Sequence, residues 1–127
     1  MILSNPSNGL TILFVDLFFS RSQPVLFSYW RSTCSWRVRI ALNLKGVDYE
    51  YRAVHLVADG GQQFKDEYKA ISPMCQVPTL VVDNQQGDSV HLTQSMAMIE
   101  YIEEKHSQTH PLFPTNILLR AKVNFQA

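Results

Sequence analysis

Three separated groups of residues could do chemistry in this chain: Ser32-Thr33-Cys34, Val77-Pro78-Thr79 and Gln94-Ser95. The first sets two hydroxyls and a thiol immediately ahead of a stretch that reads as a helix. A helix start presents unpaired N–H groups and partial positive charge, which favour a thiolate over a thiol. That thiolate is either Cys34's own or belongs to a bound ligand. The hydroxyls of Ser32 and Thr33 either cap the helix or donate to a ligand sulfur. Arg31 and Arg37 add positive potential there or are simply solvated. Pro78 precedes a hairpin signal and is either a strand-initiating proline or a cis proline. In the second case the N–H and C=O of Val77 would be open to an extended ligand, as a sheet edge is to an added strand. Gln94 and Ser95 open a helical pattern, where N–H groups and a hydroxyl take a carboxylate or merely cap the helix.

The elements that must position these groups follow from pattern. Pro24–Tyr29 reads as a buried strand, and Cys34–Lys45 as a helix ended by Gly46. Trp36, Ile40 and Leu44 stand four apart in that helix, beside Val38, Ala41 and Leu42, so burial over a wide arc is expected. Val47–Leu56 has the content of a second strand. Gly60-Gly61 separates it from a short helical stretch ending near Ala70. A βαβ crossover makes the two strands parallel. Thr79–Asp83 and Ser89–Leu92 flank the turn residues 84–88 as a hairpin. Ser95 to Lys105 is helical, with Met98, Ile99 and Ile102 at helical spacing, and a proline-marked connector runs from Ser107 to Pro114. Residues 115–127 begin a further helix. The fold class is therefore α/β, in the order βαβαββα, with a mixed sheet.

Composition narrows the partners. Eleven Lys plus Arg balance eleven Asp plus Glu, so no overall field favours nucleic acid or an acidic membrane surface. Two cysteines, Cys34 and Cys75, are too few for a disulfide framework and wrongly spaced for zinc, which suits a reducing compartment. The cytoplasm is expected, with the mitochondrion as the alternative. The apolar run Leu10–Phe19 is too short to span a bilayer, and no Lys or Arg precedes it as a signal peptide requires. Residues 1–22 are read as an extension, against a targeting segment as the alternative. His106 and His110 are four apart, but no third ligand is evident and no metal is expected. Cys75 reads as a structural thiol.

The stretch from Gln23 to Pro114 resembles the N-terminal domain of zeta-class glutathione transferases, the family that includes maleylacetoacetate isomerase. The resemblance is carried by Ser32-Thr-Cys-Ser-Trp-Arg-Val-Arg-Ile-Ala-Leu42, Gly60-Gly-Gln-Gln-Phe64, Ser72-Pro-Met-Cys-Gln-Val-Pro-Thr-Leu80 and Gln94-Ser95. It implies a thioredoxin-like, glutathione-binding domain over 23–106. Residues 107–127 would then be a linker and the first helix of the family's helical C-terminal domain, and 1–22 would lie outside the family's pattern. It further implies that glutathione is held by Ser32, Thr33, Cys34, Ser35, Trp36, Arg37, Gln63, Val77, Gln94 and Ser95. Ser32, with Thr33 and Cys34, would form the catalytic group, and Ser32 would stabilise the thiolate. The implied reaction is the glutathione-dependent cis–trans isomerisation of maleylacetoacetate to fumarylacetoacetate in tyrosine and phenylalanine degradation, in a homodimer acting on small electrophiles.

Two departures and two alternatives accompany this reading. Thr33 stands where the family usually has a second serine, and the hairpin from Val82 to Leu92 is longer than the family's tight turn. With Cys34 as nucleophile, a one-cysteine thioltransferase or dehydroascorbate reductase is an alternative; Cys34-Ser-Trp-Arg37 lacks the second cysteine of a CxxC pair. The other alternative is a non-catalytic glutathione-binding module that pairs with longer subunits.

Overall fold

A computed structural model describes residues 23–126, so the readings made for 1–22 lie outside the described residues. Strand β1 (Val25–Ser28) leads into helix α1 (Thr33–Leu44), strand β2 (Glu50–Ala53) and two single 3₁₀ turns. The short helix α2 (Asp66–Lys69), the hairpin β3 (Thr79–Asp83) and β4 (Ser89–Leu92), helix α3 (Ser95–Lys105) and helix α4 (Ile117–Gln126) follow. The sheet order is β2-β1-β3-β4. β1 runs parallel to β2, and the other two pairings are antiparallel, as a βαβ unit followed by a hairpin requires.

The two-residue repeat of a strand divides the core into two layers. Leu26, Leu80 and Val82 face one side, where Val38, Ala41 and Leu42 of α1 and Met98 and Ile102 of α3 cover them. Phe27 faces the other side with Val54 and with Tyr68 of α2. The two long helices therefore share one face of the sheet, and their N-terminal ends are available to build a site. α1 closes as the glycine signal requires: Gly46, at φ +66°, sends its N–H to Asn43 O, and Val47 N–H reaches Leu42 O, both at 3.0 Å.

Two expectations need correction. Trp36, Ile40 and Leu44 do not extend the buried arc of α1; they are 49%, 49% and 50% exposed. At about 100° per residue, positions 36, 40 and 44 form a stripe rotated away from Ser35, Val38 and Leu42. One sheet face can cover only the second stripe. The second strand is also shorter than 47–56. Only Glu50–Ala53 pairs with β1, while Val47 and Tyr49 pack on the core from outside the ladder.

The end of the sheet layer is tied to the connector by one buried ion pair. Lys45 Nζ, whose side chain is fully buried, lies 2.9 Å from Glu103 Oε2 and donates to His106 O at 3.2 Å. Glu103 also accepts the N–H of Leu112 at 2.8 Å. Phe113 beside it is buried. Asn116 Oδ1 then accepts the N–H groups of Leu118 and Leu119 and so caps α4.

Candidate functional site

Ser32 is the N-cap of α1, with extended backbone (φ −77°, ψ 118°), and its Oγ accepts the N–H of Ser35 at 3.2 Å. This bond uses one lone pair. A serine hydroxyl also carries a proton, so Ser32 can cap the helix and still donate to a ligand. The two readings of this hydroxyl are therefore compatible. No acidic residue in the first turn offsets the positive end of α1. Thr33 is exposed and Cys34 half-buried. Ser35 lies inside, fully buried, its Oγ 3.5 Å from Tyr29 N. Trp36 faces outward and donates its indole N–H to Trp30 O at 2.8 Å.

The Val77–Pro78 peptide bond is cis. Among the described residues, no backbone hydrogen bond ties down the N–H or C=O of Val77. The preceding loop is held from beneath by α2. Tyr68 Oη donates to Gln76 O at 2.6 Å and lies 3.0 Å from Thr79 Oγ1, and Ser72 Oγ donates to Gln76 O at 3.2 Å. Burial pushes the Tyr68 phenol above its ordinary pKa, which keeps the O–H as a donor.

Gln94, immediately before α3, has φ 68° and ψ 111°. A non-glycine residue pays for such backbone, and strain of this kind gathers where a ligand must be met. Next to it, Ser95 opens α3, and its Oγ receives an N–H of Arg37 at 3.4 Å. That contact joins the two helix starts.

Cys34, Val77, Gln94 and Ser95 line one small cavity of about 70 Å³ between α1, the Pro78 loop and α3. Arg37 reaches it through Ser95. Ser32, Thr33, Ser35, Trp36 and Gln63 are not part of its wall. Gln63 is buried elsewhere: its Nε2 donates to Leu56 O at 3.3 Å, and its Oε1 has no partner among the described residues. The cavity also takes Ser72, Met74, Gln76 and Thr93, which the sequence did not single out. Among the described residues, no group of three or more His, Cys, Asp or Glu could hold a metal ion.

Known proteins match this arrangement. Residues 31–105 match the family described as Glutathione S-transferase, N-terminal domain. A maleylacetoacetate isomerase of Dictyostelium discoideum is 48% identical over 103 residues, 80% of this chain and 44% of that protein. A probable maleylacetoacetate isomerase of Caenorhabditis elegans is 51% identical over 102 residues, again 80% of this chain and 44% of its own length. The crystal structure of the Anaeromyxobacter dehalogenans maleylacetoacetate isomerase with glutathione bound in its active site superposes with TM-score 0.66 at 46% identity. It covers 81% of this chain and 46% of its own. A bacterial zeta-class maleyl pyruvate isomerase superposes with TM-score 0.67 at 42% identity, over 80% of this chain and 44% of its own. The chain thus spans less than half the length of these relatives.

Proposed function

Because the chain belongs to the glutathione S-transferase family, through that family's N-terminal domain, we propose that the cavity between α1, the Pro78 loop and α3 binds glutathione. On this reading the chain is the glutathione-binding half of a maleylacetoacetate isomerase. The observation that carries it is that Cys34 and Ser95, at the starts of α1 and α3, line one cavity together with Val77, whose backbone has no backbone partner among the described residues. A γ-glutamyl tripeptide has the matching groups: a terminal amino acid moiety, an extended amide chain and a thiol.

The chain's residues divide the work. Gln94 and Ser95 receive the γ-glutamyl carboxylate at the start of α3, where the dipole and free N–H groups favour an anion. Arg37 orients Ser95 and adds positive charge. Val77 pairs with the cysteinyl amide as an added strand would. Ser32 donates its O–H to the sulfur while its Oγ caps α1, and the positive end of α1 favours the thiolate. Thr33 and Cys34 border that sulfur position. Glutathione, when bound, supplies the thiolate that adds to the cis double bond and leaves again after rotation about the resulting single bond. The protein holds the sulfur ionised and in place without consuming it. Gln63 would add a further contact to glutathione.

Residues 23–106 form the glutathione-binding unit, with 107–127 the connector and first helix of a C-terminal helical part. Among the described residues, no helix is long and apolar enough to cross a membrane. We place the protein in the cytoplasm, acting on a small electrophile, with a homodimer as the working form.

Glutathione-dependent isomerisation of maleylacetoacetate tests the proposal. Ser32→Ala is expected to lower turnover about a hundredfold, the usual loss for one donor to a developing anion. Cys34→Ala should retain most of it. Cys34 does line the cavity at a helix start, so the reverse pattern, with activity lost only in Cys34→Ala, would instead identify a one-cysteine thioltransferase. Glutathione binding without turnover would identify a non-catalytic module.

A further inference from the structure

Gln63 follows a turn that the side chains of His55 and Gln62 help to close. The chain leaves β2 through Val54 and His55, loops over residues 57–61 and returns at Gln62. Asp59, Gly60 and Gly61 have φ of 56°, 73° and 96°, three successive left-handed residues, of which the first is not a glycine. At the base, Gln62 N–H donates to His55 O and His55 N–H to Gln62 Oε1, both at 2.8 Å. Gln63 Nε2 reaches Leu56 O beside them. The turn has no strand partner, so its interior N–H groups need another acceptor. His55 Nδ1 provides it, accepting Ala58 N–H at 2.8 Å and Val57 N–H at 3.3 Å. An imidazole nitrogen that accepts a hydrogen bond does so through its lone pair.

The imidazole also packs against Tyr29, three residues ahead of Ser32. The ring of buried Tyr29 stands edge-on to it, with centroids 5.0 Å apart and planes at 61°. Tyr29 O in turn accepts the N–H of Ser32 at 3.0 Å. One imidazole therefore braces both the turn that presents Gln63 and the residue that leads into the Ser32 cap. The turn passes close to the Gln63 side chain: a Cβ on Gly61 would stand 2.9 Å from Gln63 Oε1.

We propose that His55 is a positioning residue for glutathione, acting without touching it: its Nδ1 helps close the 57–61 turn and so sets the position of Gln63, a residue assigned to glutathione by the functional reading. The inference rests on the functional reading above, because it requires Gln63 to face glutathione. Two variants of the 127-residue chain test it. His55→Leu keeps the bulk against Tyr29 but offers no acceptor, whereas His55→Asn sets Oδ1 close to where Nδ1 stands. Loss of two hydrogen bonds should weaken glutathione binding in His55→Leu about tenfold, measured by calorimetry, and speed amide exchange at Val57 and Ala58 by a similar factor. His55→Asn should restore both to within about twofold. Equal glutathione affinity in His55→Leu and the unsubstituted chain would overturn the proposal. So would a His55→Asn variant as impaired as His55→Leu. If the unsubstituted chain does not bind glutathione, the functional reading fails and the glutathione role of His55 fails with it. Exchange at Val57 and Ala58 still separates the two cases, because unchanged protection in His55→Leu would show that Nδ1 does not close the turn.

Discussion

Ser32 and Gln94 show how single residues here carry a structural duty and a chemical one together. Ser32 accepts at its oxygen and keeps its proton, so its cap and its proposed contact with sulfur do not compete. Gln94 is the opposite case, because its backbone conformation (φ 68°, ψ 111°) costs stability that a glycine would not pay. Gln94→Gly should therefore raise the urea midpoint, by an amount equivalent to about 1 kcal/mol, while weakening glutathione binding about tenfold. Chemical denaturation paired with calorimetry would show this; a variant that is both more stable and fully binding would remove Gln94 from the site. Cys34, Val77, Gln94 and Ser95, which line the cavity, were singled out in the sequence because each stands at or just before the start of a regular element, where free backbone groups gather. Ser72, Met74, Gln76 and Thr93 were not. They meet the cavity through irregular loop backbone, which has no period to read. The role of His55 was hidden for the same reason, since an acceptor for two loop N–H groups leaves no spacing in the sequence.

At the scale of elements, the helices and strands followed their hydrophobic periods, and the errors lay in facing and length. Helical spacing cannot say which of two offset stripes meets the sheet, and the sheet chose Val38, Ala41 and Leu42 over Trp36, Ile40 and Leu44. Trp36 of the exposed stripe instead lies beside one cation, the Arg39 guanidinium, 4.8 Å from its ring centroid and 5.5 Å from that of Tyr51 in β2. The ion pair joining the ends of α1 and α3 was not legible, because Lys45 and Glu103 are 58 positions apart and only the packed helices bring them together. Burial works to raise the Glu103 pKa. The Lys45 ammonium, the Leu112 N–H and the field of Arg120 outweigh it and hold the carboxyl below its ordinary value. A depressed folded-state pKa gives stability that is complete above the unfolded value, about 4.3 for glutamate, and is lost as pH falls through the folded value. Glu103→Gln should cost about 3 kcal/mol at pH 7, since it leaves the Lys45 ammonium buried without its partner. The gap between the two proteins in urea midpoint should close as pH falls below about 4. A gap that is constant from pH 7 to pH 3 would mean that the carboxylate charge plays no part.

For the whole molecule, the decisive fact is that the chain spans less than half the length of its relatives and carries the cavity proposed above to bind glutathione. Ile117, Leu118, Leu119 and Val123 of α4 are 85%, 63%, 51% and 41% exposed, apolar surface that the sheet domain does not cover. The sheet, the two helix starts and the Pro78 loop, in contrast, are packed among themselves by Leu26, Leu80, Met98 and Tyr68. Glutathione binding should thus depend on residues 23–106. The most direct measurement is a glutathione titration of the isotope-labelled chain followed by amide NMR shifts. Saturable shifts concentrated at Cys34, Val77, Gln94 and Ser95, and absent with a glutathione analogue lacking the γ-glutamyl carboxylate, are the predicted result. Shifts that do not saturate, or that fall elsewhere on the sheet domain, would contradict the assignment of this cavity to glutathione.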